Sequence, residues 1–237
     1  MRLIIGIGVV IVAVVFLVAG VPPLQSRRPV PPKADPGKVR IVCIGDSITY
    51  GMGVLYGGRE RKVWTTLLGR QLGEEYQVLN YGISGATLQS EGDLPYRSFP
   101  QLEKAKEAQA QVYLLMLGTN DSKPYNWNAG RFEKELGEWV DELQAGEWPH
   151  RVLLMTPPCA FPARGKSEVG FDISAEVIRD EVRPIVLRTA AEKRIDVVDL
   201  YSQTEDNPSW FGDGVHPNTE GNRHLAQIIC DALEKIR

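Results

Sequence analysis

The chain has 237 residues, with 27 Lys and Arg against 30 Asp and Glu, a net charge of −3 and 43% hydrophobic residues. That length suffices for one domain with a sizeable core. The balanced charge, with no basic patch or charge run, argues against a nucleic-acid partner. Cys43, Cys159 and Cys230 are odd in number and widely spaced, so they form neither a disulfide framework nor the paired spacing of a zinc site.

Arg2 precedes an uncharged apolar run, Leu3 to Val21, long enough to cross a bilayer as a helix. Residues 1–21 read as a membrane anchor, or as a signal segment cleaved near the small residues Val18-Ala19-Gly20. Arg27, Arg28, Lys33, Lys38 and Arg40 follow the run, and counted literally they would keep the remainder in the cytoplasm. A charged N-terminus directly before an apolar core is instead the layout of an export signal. Export is the reading adopted, which places the domain outside the cytoplasm, in the periplasm or at the cell surface, membrane-anchored or secreted. A cytoplasmic-facing anchor is the alternative. Residues 22–38 carry Pro22, Pro23, Pro29, Pro31, Pro32 and Pro36 and read as an extended linker. Residues 39–237 are then the folded domain.

Within that domain, short apolar runs with β-branched residues predict buried strands at Val39–Ile44, Val78–Asn80, Val112–Leu117, Val152–Met155 and Ile195–Val198. Helical stripes lie between them. Trp64, Leu67, Leu68 and Leu72 share a face, as do Phe132, Leu136, Trp139, Val140 and Leu143. Ile178, Val182, Ile185, Val186 and Ala190 form another stripe, kinked at Pro184. Leu225, Ile228, Ile229, Ala232, Leu233 and Ile236 mark a closing helix. Cys43 and Cys230 fall on apolar stretches and are expected to be buried thiols. Alternating strands and helices imply a parallel sheet covered on both faces, with ligands bound beyond the carboxyl ends of the strands.

Four polar blocks fall at strand ends or in loops: Gly45-Asp46-Ser47, Asn80-Tyr-Gly-Ile-Ser-Gly85, Gly118-Thr-Asn-Asp121 and Asp213-Gly-Val-His216-Pro217. Together they hold what acyl transfer needs. Ser47 is the candidate nucleophile, His216 its base, and Asp213 the group that orients the imidazole. The Ser47 and Gly85 backbone N–H groups and the Asn120 side-chain amide are candidate oxyanion donors. Taken singly, each block has a plainer meaning: Asp46-Ser47 as a helix cap, Gly85 as a turn glycine, Asn120-Asp121 as a strand-end cap and Gly212-Asp-Gly with His-Pro as loop formers. His150, with no carboxylate nearby in sequence, and His224, on the polar side of the last helix, are rivals that read as solvated. No His/Cys/carboxylate cluster has metal-ligand spacing. Paired carboxylates could hydrolyse a glycoside, but that would leave Ser47 and His216 unexplained.

The four blocks resemble those of the SGNH (GDSL-type) hydrolases over about residues 39–237. The resemblance implies a three-layer α/β/α sandwich with a five-stranded parallel sheet, flavodoxin-like in plan, and no cofactor. It also implies the roles already named for Ser47, Gly85, Asn120, Asp213 and His216. Gly118 to Trp127, Thr156-Pro-Pro-Cys159 and Phe211 to Asn218 are similar to bacterial carbohydrate (sialate-type) O-acetylesterases. On that reading, Asp46, Lys123, Tyr125 and Trp127 are substrate-binding candidates. The aromatic faces would meet a sugar ring and the ammonium a carboxylated sugar, while the plainer alternative is a packed loop. The loop from Pro157 to Asp172 is expected to shape the pocket. The implied enzyme is a serine esterase acting on acylated, mainly acetylated, carbohydrates. The alternatives are a lysophospholipase or thioesterase acting on lipid acyl esters, and a non-catalytic glycan-binding module.

Overall fold

The computed structural model describes residues 33–235 except Gly57 and Pro149. The expected membrane segment, most of the linker and Ile236 lie outside the described residues. Among the described residues no helix is long and apolar enough to cross a membrane.

Five strands form one parallel sheet: β1 (Val39–Gly45), β2 (Tyr76–Gly82), β3 (Val112–Met116), β4 (Arg151–Met155) and β5 (Asp196–Val198), in the order β2-β1-β3-β4-β5. This is the doubly wound plan expected from the sequence. β2 extends beyond its predicted range because Val39 to Gly45 pairs in register with Tyr76 to Gly82.

Side chains alternate across the sheet with period two. Ile41 and Cys43 of β1, Leu114 and Met116 of β3, and Leu153 and Met155 of β4 enter one core. Val42 and Ile44, Tyr113 and Leu115, and Val152 and Leu154 enter the other. The first core is closed by α2 (Trp64–Leu72) and α7 (Thr219–Lys235), through Trp64, Leu68, Leu225, Ile229 and Leu233. The second is closed by α3 (Gln101–Glu107), α4 (Ala129–Gln144) and α5 (Arg183–Lys193). The result is the three-layer sandwich.

Cys43 and Cys230 are buried, as is Cys159. The departure expected at Pro184 is a π turn over Ile178–Val182, in which Arg183 N–H donates to Ile178 C=O. Pro184 has no N–H for the α pattern, so the wider turn delivers the chain into α5. The short α3 and α6 (Leu200–Thr204) had no clear periodic stripe in the sequence.

A third, smaller cluster lies over the carboxyl ends of the strands. Cys159, Ala160, Ile173, Ile178, Tyr201 and Val215 pack there, fastening the loop after β4 to the loop that carries His216.

Candidate active site

Gly45 ends β1, and α1 (Ser47–Tyr50) starts two residues later. Glycine here is not required by a left-handed turn, since the Gly45 φ is not positive. The requirement is close approach: a Cβ here would meet the Thr49 hydroxyl and lie 2.8 Å from the Met116 carbonyl oxygen. Asp46 is the N-cap of α1, its Oδ1 accepting the Ile48 N–H at 2.9 Å. It is fully buried, and burial pushes its carboxyl up to about 6. Asp46 does not line the cavity over Ser47. The carboxylate is enclosed, with Oδ1 capping α1, so the structure favours the capping reading over a contact with substrate.

Ser47 sits at the first position of α1, and its Oγ lies 2.9 Å from His216 Nε2. His216 Nδ1 lies 2.7 Å from Asp213 Oδ2. Burial raises the Asp213 carboxyl, but its bonds from His216 and Val215 outweigh this and bring it down to about 2. The His216 loop is held from several sides. Phe161 N–H donates to Gly214 C=O at 2.8 Å. Gly214 has φ +88° and lies so close to the Phe161 carbonyl that a Cβ would collide. Asn222 of α7 donates to Pro217 C=O at 2.7 Å and accepts the Trp64 N–H at 2.8 Å. Asn222 ties the loop to two helices, and nothing in its sequence context announced that role.

Gly85 follows β2 with φ +85°, a left-handed conformation open to glycine. Asn120 follows β3, and its Nδ2 donates to Ala86 C=O at 3.2 Å. A side-chain amide has two N–H groups, so one is left to donate. The backbone N–H groups of Ser47 and Gly85 donate to no acceptor among the described residues. Ser47, Gly85, Asn120, Asp213 and His216 all line one cavity of about 470 Å³.

Beneath this cavity lies a buried clamp. Asp121 accepts the Leu88 N–H at 3.0 Å and the Gln89 N–H at 2.9 Å. Asn126 donates to the Asn120 carbonyl at 2.9 Å and to Asp93 at 2.8 Å. The loop bearing Gly85 is thus tied to the strand end bearing Asn120. Burial raises the Asp121 carboxyl to about 6, although the two backbone N–H bonds pull the other way.

The remaining candidates fall out differently. Lys123 lines the cavity, but its ammonium is paired with Asp93 at 3.1 Å. Tyr125 is 61% exposed and Trp127 half-buried, and neither lines the cavity. Trp127 packs on Phe132 with ring centroids 5.3 Å apart and donates its indole N–H to Glu181 at 2.8 Å. That packing corrects its reading as a sugar platform. Of the two rival histidines, His224 is exposed, as expected, while His150 is not simply solvated. His150 has its ring nitrogens 2.6 and 2.7 Å from the Trp148 and Leu143 carbonyls, and His224 stacks on Trp210 at 3.9 Å. No group of three or more His, Cys, Asp or Glu that could hold a metal ion is found among the described residues. The Pro157–Asp172 loop does reach the cavity, through Phe171, with Met52, Leu55, Tyr56, Ile173 and Val215 completing its apolar lining.

The family model for GDSL-like lipases and acylhydrolases matches residues 43–224. An acetylxylan esterase of Xylanibacter ruminicola is 32% identical over 222 residues, covering 86% of this chain and 44% of that protein. The chain therefore spans less than half the length of this relative. A mouse homologue of isoamyl acetate-hydrolyzing esterase 1 is 28% identical, covering 83% of this chain and 82% of that one. Among solved structures, a lipase/acylhydrolase from Enterococcus faecalis superposes with a TM-score of 0.66 at 22% identity, over 83% of this chain and 95% of its own. A carbohydrate acetylesterase from Sinorhizobium meliloti gives a TM-score of 0.64 at 21% identity, over 84% and 100%. These structural likenesses speak for the fold. The family model, matched across nearly all of the described domain, shows that the chain belongs to the GDSL-like lipase/acylhydrolase family of carboxylic-ester hydrolases.

Proposed function

We propose that the protein is a serine esterase that removes small acyl groups, acetyl above all, from carbohydrates. The observation that carries this reading is the His216 ring, bonded on one side to Ser47 Oγ at 2.9 Å and on the other to Asp213 at 2.7 Å. A serine hydroxyl is inert until a base takes its proton, and this arrangement supplies the base and holds it in the required orientation.

In the proposed cycle, Ser47 Oγ attacks the ester carbonyl while Nε2 takes its proton. The tetrahedral oxygen accepts hydrogen bonds from Ser47 N–H, Gly85 N–H and Asn120 Nδ2. As the intermediate collapses, His216 protonates the departing alcohol and an acyl-serine remains. Water, deprotonated by the same imidazole, releases the carboxylic acid and restores Ser47. The acetyl and carbohydrate parts of the reading are supported by the acetylxylan esterase relative. They are supported also by a cavity whose mouth offers the exposed aromatic faces of Tyr56 and Phe171. We place the reaction outside the cytoplasm, with residues 1–21 as the anchor or signal.

The test is acetate release by the full chain from O-acetylated sialic acid and acetylated xylan, with a lysophospholipid as comparator and Ser47→Ala as control. Release from a glycan, abolished in Ser47→Ala, is expected. Cleavage of the lipid alone would move the protein to the lipid-directed reading. No cleavage of any ester would point to a glycan-binding module.

A further inference from the structure

Phe171 occupies a position where the backbone favours another residue. Phe171 and Asp172 have φ of +64° and +58°, and Ile173 N–H closes the turn on Gly170 C=O at 3.3 Å. Two positive φ values inside a bonded four-residue turn are the mark of type I′, whose central positions favour Gly, Asn and Asp. Asp172 fits. Phe171 does not, since a bulky L side chain is strained there. Burial does not offset the strain, because 57% of Phe171 is exposed. The ring stands edge-on to His216, with centroids 5.1 Å apart and planes at 73°, and it lines the cavity over Ser47. A residue held against both its backbone preference and the hydrophobic effect, at the lip of a site, is the kind of local conflict that function maintains.

Proton transfer decides which half of the substrate meets this ring. His216 Nε2 must come within hydrogen-bond reach of the departing oxygen to protonate it. The alcohol half of the ester therefore leaves along the His216 side, while the carbonyl oxygen faces Gly85 and Asn120. We propose that Phe171 is a specificity-determining residue that packs against the leaving alcohol and selects esters of saturated ring alcohols, the class to which a pyranose belongs. Tyr56, 81% exposed and lining the same cavity, is the second aromatic face available to that ring. The inference rests on the proposed esterase activity and adds to it which part of the substrate is recognised, and by what.

The experiment compares kcat/KM of the full chain for cyclohexyl acetate and ethyl acetate, which share an acyl group and differ only in the alcohol. In Phe171→Asn the cyclohexyl-to-ethyl ratio is expected to fall roughly tenfold, the scale of apolar-pocket discrimination, mainly through KM for the ring ester. Phe171→Tyr should restore it. The Tm of Phe171→Asn should not fall, because Asn suits the turn. An unchanged ratio, or an equal loss of kcat on both esters, overturns the proposal, the latter by making Phe171 a support for His216. An acetylated xylo-oligosaccharide assayed in parallel separates the two claims. If the ratio depends on Phe171 but the oligosaccharide is untouched, the carbohydrate reading fails and the role of Phe171 stands. If the oligosaccharide is cleaved and the ratio ignores Phe171, the reverse holds.

Discussion

Asp213 grips His216 by side chain and backbone at once: Oδ2 lies 2.7 Å from the ring Nδ1, while Oδ1 accepts the His216 backbone N–H at 2.7 Å. A carboxylate only accepts hydrogen bonds, so Nδ1 is the donor and the neutral ring presents Nε2 to Ser47 as the acceptor. The second bond fixes where the ring begins, and the first fixes how it turns. Asp213→Asn is therefore expected to lower kcat by about 10⁴-fold through the wrong tautomer, with the fold retained. Steady-state kinetics with circular dichroism as the folding control checks this, and near-normal kcat would remove Asp213 from the mechanism.

Asn120 donates to Ala86 C=O at 3.2 Å with one amide hydrogen, leaving the other free to donate, which in the proposed cycle it does to the oxyanion. Asn120→Ala should lower kcat by about 10²–10³-fold while KM moves little. A change confined to KM would assign Asn120 to ground-state binding instead.

Asp46 and Asp121 are fully buried, and burial raises each carboxyl to about 6 from an ordinary value of 3.8. Between those values the folded state holds more protons than the unfolded one. Their contribution to stability is thus complete below about pH 4 and is lost as pH rises through about 6. Asp213 runs the other way: its carboxyl lies near 2, so its contribution is present above about pH 4 and lost as pH falls toward 2. Urea unfolding of the wild type and Asp121→Asn from pH 4 to 7 is expected to show a shallower pH slope in the variant. An identical slope would mean that Asp121 does not titrate in this range. The same substitution replaces one of two acceptors for the Leu88 and Gln89 N–H groups with a donor, so kcat should also fall as the Gly85 loop loosens.

Gly45→Ala places a methyl group 2.8 Å from the Met116 carbonyl oxygen and against the Thr49 side chain. Overpacking of this kind costs about 1–3 kcal/mol, here at the junction that aims Ser47. A lowered Tm accompanied by lost activity is expected, and an unchanged Tm would show that the strand end can relax.

Sequence alone determined the layered fold and the four chemical blocks. The strands are short apolar runs and the helices α2, α4 and α7 carry wide apolar stripes, so local pattern was enough to find them, though not the full extent of β2. Ser47, Gly85, Asn120, Asp213 and His216 were legible because three of these positions follow strand ends, where a parallel sheet gathers its loops. Tertiary structure decided the rest. Asp46, Lys123 and Trp127 looked alike as polar or aromatic residues beside the blocks, yet one caps a turn, one is paired with Asp93 and one is packed on Phe132. Asn222 and Phe171 lie in segments with no motif. They matter only because α7 reaches the His216 loop and a strained turn sets an aromatic ring beside His216. Periodicity records which face of an element is buried. It does not record which distant backbone will meet a given side chain, and that contact separates a structural group from one available to substrate.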